Sequence, residues 1–308
     1  MLESVLAFGA NVWIAAAYTL EIAAPFVLAH RIRQTRRDLP GALDLQGISA
    51  DYIILSVQSC VYRIIYIFKY IFPSSLLVQQ HAARYYHSPD INKFAILSEL
   101  PYCLSTLVAI ALILLPRFTS TTAQLRLRFS TIAKFVSGVA FTATTTAYLL
   151  ATLVKFDPAT GMGFWGLFYI DSVDLLKGVA DFLDCVRFWP QVVINWEEGN
   201  TIAFDTAYPH LLLNAAACRG VGMLFAALAQ DDIRLATRPA GTFLYLYYIA
   251  VVCGVFYFQA YWVYRRDNAR IRRGFTKRSE EDGTDDVPRR TREEETIGLM
   301  PLMQQHLE

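Results

Sequence analysis

Charged residues are scarce in this chain. Lysine, arginine, aspartate and glutamate account for 18% of its 308 residues, whereas they make up about a quarter of a typical soluble protein. The 28 basic and 27 acidic residues nearly cancel, so the composition offers no basic excess for binding a nucleic acid. A wholly disordered chain is excluded as well, because 55% of the residues are hydrophobic.

Motifs for catalysis and metal binding are also lacking. The five cysteines occur singly inside apolar segments, and we interpret them as small buried side chains rather than as zinc or redox ligands. The five histidines are scattered, and the chain has no HExxH, GxSxG or Walker A motif. We therefore expect neither an enzyme nor a bound metal or cofactor.

Long apolar runs are the main feature of the sequence. Each is long enough to cross a hydrocarbon layer of ~30 Å, and it must do so as a helix because lipid offers no partners to backbone polar groups. Seven such spans cover residues 6–29, 49–72, 93–116, 131–154, 164–193, 201–229 and 241–264. The sequence thus predicts an all-α, polytopic membrane protein with seven transmembrane helices.

The connections between the spans differ in basic charge. Those after the first, third and fifth spans, together with the C-terminal tail, carry most of the arginines and lysines, and Arg187 is counted among them. The other connections carry few. Because basic residues concentrate on the cytosolic side, we expect a cytosolic C-terminus and a luminal N-terminus.

The polar tail, residues 267–308, is expected to be disordered, and its basic beginning is suited to contact anionic lipid. Within it, Glu295, Leu299 and Met300 resemble an acidic dileucine sorting signal. Such a signal implies a sorting adaptor as partner and a lysosomal or vacuolar membrane as destination.

The fifth span carries an unusual set of charges: Asp174, Lys177, Asp181 and Asp184 share an arc of about 80° on one helix face. A charged group in hydrocarbon costs at least ~2.5 kcal/mol, so we expect this face to line the bundle interior or water. Lys177 can pair with Asp174 or Asp181, which leaves an excess of carboxylate suited to proton exchange. A purely structural ladder of ion pairs is the alternative interpretation.

Further charges lie inside or beside other spans. Arg63 in the second span and Glu99 in the third fall at similar depth, and we predict a structural ion pair between them. Glu21 lies near the middle of the first span. Asp90 stands just before the third span, where an aspartate taken alone is most often a helix N-cap.

A proline interrupts the end of the fifth span. Pro190 has no backbone N–H to bond the carbonyl of Val186, which predicts a kink and a possible hinge near the membrane boundary. Gln191 and Asn195, four residues apart, place two amides on one face beside this kink.

This pattern resembles the motif of the PQ-loop repeat family. The matching residues are Pro190, Gln191 and Asn195, followed by Gly199 and Thr201. A degenerate copy in the first half keeps Pro25 and Gly47-Ile48-Ser49 but not the Gln or Asn. Ser88-Pro89-Asp90 and the seventh-span sequence Gln259 with Tyr264-Arg265 are most similar to the cystinosin-like members of the family.

The resemblance implies two three-helix repeats, residues 1–116 and 161–266, joined by a linker helix within residues 117–160. It also implies a function: proton-coupled export of a small polar solute, an amino acid and possibly cystine, from an acidic lysosome-like or vacuole-like lumen to the cytosol. Transport would proceed by alternating access, with protons as the coupling ion.

The resemblance further implies roles for single residues. Pro25, Pro190 and Gln191 would act at hinges. Asp90 would couple protons, together with the fifth-span carboxylates Asp174, Asp181 and Asp184. The substrate would contact Asn195, Lys177, Ser56, Asp205 and Tyr208. Cystinosin-like proteins have an Asn and an Asp in the sixth span where this chain has Phe204 and Tyr208, which leaves cystine itself open.

A seven-helix cargo or sorting receptor of the secretory pathway is the second hypothesis. It would need a basic luminal pocket and a retrieval signal in the tail, but the chain ends Gln304-Gln305-His306-Leu307-Glu308 with no dibasic pair. A G-protein-coupled receptor is a third option, which the charges within the spans and the repeat disfavour.

Overall fold

Helices alone build the part of the chain that the computed structural model describes. The described residues are 2–38, 49–84, 96–119, 130–152, 163, 166–197, 199, 201, 206–229, 240–266 and 268–269. No β-strand occurs among them, which confirms the all-α prediction for these residues. Apart from Ala269, all of them belong to one compact unit, residues 1–268.

Nine α-helices follow one another within those ranges. They are α1 (Leu2–Asp38), α2 (Ala50–Ile71), α3 (Ser75–Arg84), α4 (Leu100–Thr119), α5 (Thr131–Thr152), α6 (Tyr169–Val186), α7 (Trp189–Glu197), α8 (Ala207–Ala229) and α9 (Ala240–Phe258). A π-helix, Gln259–Val263, continues α9. The short α3 lies in a segment that the sequence analysis treats as a connection.

Five helical segments are long and apolar enough to cross a membrane. They are Glu3–Gln34, Ala50–Ile71, Thr131–Thr152, Ala207–Ala229 and Leu246–Val263. The predicted third span is represented by a shorter apolar stretch, Leu100–Leu115. The predicted fifth span does not qualify, because α6 carries five charged residues within 18.

The outer surface of the helices is apolar. Phe8, Ile132, Phe135, Tyr247 and Trp262 are each at least 70% exposed. An apolar surface of this kind is unfavourable in water but matches the acyl chains of a bilayer. Together with the five long apolar helices, it identifies the chain as a membrane protein.

Serine side chains begin several helices. The Ser49 hydroxyl accepts the Asp51 N–H at 3.1 Å and so caps α2. Ser130 does the same for α5 through the Ala133 N–H at 3.0 Å. Each serine satisfies a backbone donor that has no partner within the helix, and each therefore marks where a helix can start.

The predicted fifth span is divided into two helices. α6 ends at Val186, and α7 begins at Trp189 with Pro190 in its first turn, a position where the missing N–H of proline is tolerated. The Gln191 N–H bonds instead to the Phe188 carbonyl at 3.1 Å. The predicted kink is therefore a break, and it lies just before the proline.

Two long antiparallel contacts organise the bundle: α1 packs along α8, and α2 packs along α6. Small residues allow the first of these. Ala10, Ala17 and Ala24 recur every seven residues on the buried side of α1. A Cβ on Gly222 of α8 would lie 2.8 Å from the side chain of Ile14, so the two helices meet almost at backbone distance.

The main apolar core joins α1, α2, α4, α8 and α9 around the buried ring of Phe188. A smaller apolar cluster packs α5 against α2 and α6. These clusters flank the polar residues described next and hold the helices that carry them.

Candidate functional site

Residues with polar groups recur at alternating steps of three and four along one face of α2, beginning at its N-cap. They are Ser49, Tyr52, Ser56, Ser59, Arg63, Tyr66 and Tyr70. Steps of three and four residues place them on one side of the helix. All except Tyr66 are buried. A buried polar face needs hydrogen-bonding partners from another helix, since unpaired polar groups in a membrane interior are costly.

The partners come from a matching stripe on α6 and α7. It consists of Asp174, Lys177, Asp181, Asp184, Arg187, Gln191 and Asn195, again at steps of three and four. Contacts join the two stripes along their length in antiparallel order. Near one end the Tyr70 hydroxyl donates to Asp174 at 2.6 Å, and at the other the Ser49 N–H donates to Gln191 Oε1 at 3.2 Å. We call this continuous contact the polar seam.

An ion cluster lies at the middle of the polar seam and consists of Arg63, Glu99, Lys177, Asp181 and Asp184. Arg63 donates to Glu99 at 2.9 Å and to both aspartates at 2.7 Å. Lys177 lies 3.0 Å from Asp181 and 3.5 Å from Glu99. The residues of the predicted Arg63–Glu99 pair are thus in contact, and they share a larger network.

The carboxylates of this cluster are balanced by cations. The sequence indicates an excess of acid on the fifth span alone, but Arg63 comes from α2, and Arg187 lies 3.1 Å from Asp184. Glu99, placed inside the third span by the sequence analysis, stands just before α4, where its carbonyl accepts the Cys103 N–H at 3.3 Å. That position lets its side chain reach both Arg63 and Lys177.

Arg187 is completely buried at the break between α6 and α7, which corrects its assignment to a cytosolic connection. Its guanidinium donates to the Tyr102 hydroxyl at 2.8 Å and lies 5.0 Å from the centre of the Phe188 ring. Longer contacts of 3.4 Å reach Ser56 and Tyr208. Two predicted substrate residues thus meet at an arginine that hydroxyl groups and aromatic rings stabilise.

A second ion pair joins α1 to α8. Arg219 of α8 donates to the Glu21 carboxylate at 2.5 Å, and its guanidinium lies 5.1 Å from the centre of the Tyr18 ring. Both charges sit within helices that are long and apolar enough to span a membrane. The pair therefore links α1 to α8 in the interior of the protein.

A cavity of about 30 Å³ lies between the ion cluster and the Glu21–Arg219 pair. Its lining consists of Tyr18, Glu21, Arg63, Glu99, Tyr102, Lys177, Asp181, Asp184 and Arg219. The volume is enough for roughly two water molecules, and the lining supplies the polar partners that buried water needs. Five helical regions, α1, α2, the start of α4, α6 and α8, thus enclose one polar space.

Asp174 belongs to a separate group toward one end of the polar seam. Besides Tyr70, its carboxylate lies 3.6 Å from Arg84 of α3, and Arg84 also pairs with Asp171. The side chains of Asp174 and Arg84 are each about one-third exposed, whereas that of Asp184 is buried. The predicted proton-coupling aspartates of the fifth span therefore fall into two environments, of which only that of Asp181 and Asp184 adjoins the cavity.

The two amides of the PQ pattern form a chain at the other end of the polar seam. Gln191 Nε2 donates to Asn195 Oδ1 at 3.1 Å, and Asn195 Nδ2 donates to Gln259 Oε1 at 3.3 Å. Gln259 opens the π-helix and donates to the Val192 carbonyl at 3.0 Å. Asn195, predicted to contact substrate, is thus in a hydrogen-bonded network outside the cavity.

The two prolines of the PQ pattern stand in different settings. Pro25 is buried within α1, which continues through it to Asp38. Pro190 stands at the start of a new helix. The hinge role assigned to Pro25 and Pro190 stays a prediction.

Some predicted site residues lie outside the described part of the chain. These are Asp90, Asp205, Glu295, Leu299 and Met300. Their assigned roles in proton coupling, substrate contact and sorting stay predictions.

Arg219 and Tyr102 were missed by the sequence analysis, and Glu21 was noted without a partner. The sequence does contain a signal for the pairing of Arg219 with Glu21. A single arginine inside the apolar sixth span requires an acidic partner in another span, and Glu21 is the acidic residue of the first span at mid-depth. The heptad of hydroxyl and aromatic residues on α2 would likewise have predicted a polar face.

Among the residues that the structure describes, no group of three or more His, Cys, Asp or Glu side chains is placed to hold a metal ion. The likeness to the PQ-loop family rests on the motif residues alone. No protein-family model and no curated protein sequence matches this chain.

Proposed function

We propose that the protein exports a small polar solute, an amino acid with cystine as one candidate, from an acidic lysosome-like or vacuole-like lumen to the cytosol together with protons. In this proposal seven spans form two three-helix repeats, residues 1–116 and 161–266, around a linker helix within residues 117–160. The N-terminus is luminal, and the C-terminal tail, residues 267–308, is cytosolic and carries the sorting signal.

The observation that carries the proposal is the charged cavity inside an apolar helix bundle. Its lining comes from α1, α2 and the start of α4, which belong to the first predicted repeat, and from α6 and α8, which belong to the second. Transporters built from repeats place their sites between two such groups of helices, near the middle of the membrane. Ionisable residues within spans are expensive and mark solute or proton pathways more often than they merely pack helices.

Asp181 is best placed for proton coupling. Its carboxylate bridges Arg63 at 2.7 Å and Lys177 at 3.0 Å, and it is about one-quarter exposed whereas Asp184 is sealed. Protonation of Asp181 would weaken both ion pairs and hence the contact between α2 and α6. Coupling follows if proton and solute favour the same conformation of the bundle.

The same cavity argues against the sorting-receptor alternative. A receptor for acidic or carboxylate-ended peptides needs a basic pocket. Four carboxylates and three cations line this cavity, so it is not a basic pocket. We therefore favour transport.

The test uses full-length protein redirected to the plasma membrane by Leu299→Ala and Met300→Ala, which places the luminal side outside the cell. Labelled amino acids, including cystine, and sugars are then screened for uptake at acid and neutral external pH. We expect an amino acid to enter faster at acid pH, because the proton gradient then drives it inward.

Variants connect that uptake to named residues. Asp181→Asn and Asp90→Asn should each abolish acid-driven uptake while surface expression is retained. Asp171→Asn is the matched control, since Asp171 is on the same helix but pairs with Arg84 away from the cavity. Unchanged pH dependence in both Asp181→Asn and Asp90→Asn would refute the proton role, and failure of every solute to enter would refute transport of these classes.

A further inference from the structure

We infer that Glu21 and Arg219 bind the solute, and that the solute is a zwitterion whose ammonium and carboxylate groups replace their mutual ion pair. The inference rests on the proposed function and adds to it a binding site and a substrate class. Every free α-amino acid carries the two charged groups in question. Sugars, simple amines and simple carboxylates lack one or both.

Among the carboxylates that line the cavity, Glu21 has the fewest cationic groups close to it. Among the described residues, Glu99, Asp181 and Asp184 each have two cationic groups within 3.5 Å. Glu21 has one within 4.0 Å, that of Arg219. A ligand that competes for charged groups therefore meets least resistance here, while the ion cluster around Arg63 stays intact as a scaffold.

Charge balance restricts which ligand can make this exchange. Parting Glu21 from Arg219 breaks an ion pair between a buried carboxylate and a partly buried guanidinium, which is costly unless the ligand replaces it. A zwitterion supplies a carboxylate to Arg219 and an ammonium to Glu21, so the lost contact is replaced for both. An anion alone gives Glu21 no replacement, a cation alone gives Arg219 none, and a neutral sugar gives neither a charged replacement.

Space and helix packing agree with an exchange rather than with simple addition. The cavity has room for roughly two waters, so an amino acid enters only if the helices that line it move apart. The helices that carry the pair touch close by through small residues, with Gly222 of α8 against Ala10 and Ile14 of α1. Interfaces of small residues hold helices by close backbone contact and lack large interlocking side chains. The ion pair is therefore the polar connection that binding would open.

The experiment measures binding to purified full-length protein in lipid nanodiscs, by thermal shift and by competition. The probes are the standard L-amino acids and L-cystine, and D-glucose as a neutral solute. For each amino acid that binds, the panel includes the matching carboxylic acid without the amino group and the matching amine without the carboxyl group. We expect at least one zwitterion to bind the wild type more tightly than either matched analogue.

Substitutions assign the two charges. Glu21→Gln and Arg219→Gln should each weaken zwitterion binding by roughly tenfold or more, because each removes one buried charge partner. Glu21→Gln should bind the carboxylic acid analogue more tightly than the wild type does, since the ligand no longer competes with the Glu21 carboxylate for Arg219. Arg219→Gln should show the reciprocal gain for the amine. A structural role for the pair predicts neither gain.

Controls separate misfolding from loss of the site. Arg84→Gln removes an arginine that pairs outside the cavity and should bind as the wild type does. Glu21→Gln combined with Arg219→Gln leaves no uncompensated charge, so it should fold and still lose zwitterion binding. Wild-type affinity in this double variant, or absence of zwitterion binding to the wild type, would overturn the inference. If acid-driven uptake of an amino acid persists in the double variant, the proposed function stands while this site assignment falls.

Discussion

Helices α2 and α5 are alike by the measures that identify membrane spans and differ in where they lie. Each has 22 residues and a mean hydropathy of 1.3 in its most apolar window. In α2, 56% of that window is buried within the protein, but only 17% in α5. Length and hydropathy thus predict that both can cross a membrane and say nothing about which one faces lipid.

The arrangement of polar groups explains the difference. In α5 the hydroxyls of Thr144 and Thr152 bond to carbonyls of their own helix, at 2.9 and 2.6 Å, so they require no partner from outside. In α2 the Arg63 guanidinium and the hydroxyls of Tyr52 and Tyr70 cannot be satisfied in this way. A helix with such a face must pack against polar partners: α6 provides them for Arg63 and Tyr70, and Tyr208 of α8 provides one for the Tyr52 hydroxyl.

The largest expected effect comes from removing the central cation of α2. Arg63→Gln leaves Glu99, Asp181 and Asp184 with one fewer partner each and should lower the free energy of unfolding by about 3–5 kcal/mol. Lys134→Gln, an exposed cation of α5, should change it by less than about 0.5 kcal/mol. Unfolding of the purified protein by denaturing detergent measures both.

A double variant sharpens that prediction. Arg63→Gln with Asp181→Asn removes one charge of each sign, and stability should recover in part because fewer carboxylates remain without a cation. Equal loss in the single and double variants would show that Arg63 acts through packing rather than through charge.

Replacing a glycine by alanine should change the free energy of unfolding by a smaller amount, with opposite signs at a tightly packed and an open position. Gly222→Ala brings a Cβ within 2.8 Å of Ile14 and 3.2 Å of the Ala10 carbonyl, and should cost about 1–3 kcal/mol through overpacking of α1 against α8. Gly138→Ala on α5 meets nothing within 4 Å and should gain up to about 1 kcal/mol from better helix propensity. Opposite signs in the same unfolding assay would establish the contrast; two losses of equal size would contradict it.

The smallest effect concerns single hydroxyls. The Ser59 hydroxyl donates across the polar seam to the Ala180 carbonyl at 2.9 Å, and Ser59→Ala should cost about 0.6 kcal/mol, a typical value for hydrogen bonds between membrane helices. Thr144→Ala loses only a bond within α5 and should be neutral within about 0.5 kcal/mol. Thermal denaturation of the two variants side by side resolves the difference, and a Thr144→Ala loss as large as that of Ser59→Ala would contradict it.

The sequence predicted the all-α character because long apolar runs have one stable form in lipid. It also predicted that the charges at 174, 177, 181 and 184 share one side of a helix, and three of them meet at the cavity. Asp184 is indeed buried, and Asp181 and Lys177 line the cavity with it. Periodicity within one helix carries this information.

The partners of those charges could not be predicted in the same way. Arg63 reaches Asp181 and Asp184, and Glu21 reaches Arg219, only because particular helices are neighbours in space. A single sequence does not reveal which helices pack against each other. Arg187 was misplaced for a related reason, since an arginine beside a proline at the end of a span looks like a residue of a connection. Its burial depends on the tyrosines of other helices.

The polar seam has a consequence for how the chain enters the bilayer during synthesis. Arg63 precedes its partner Asp181 by 118 residues, so at ordinary translation speed the arginine waits roughly 6–24 seconds before that aspartate leaves the ribosome. Glu99, which follows Arg63 by 36 residues, is the first of its acidic partners to be made, and α6 is too acidic to enter lipid alone. The full ion cluster around Arg63 can therefore form only after α6 has been synthesised.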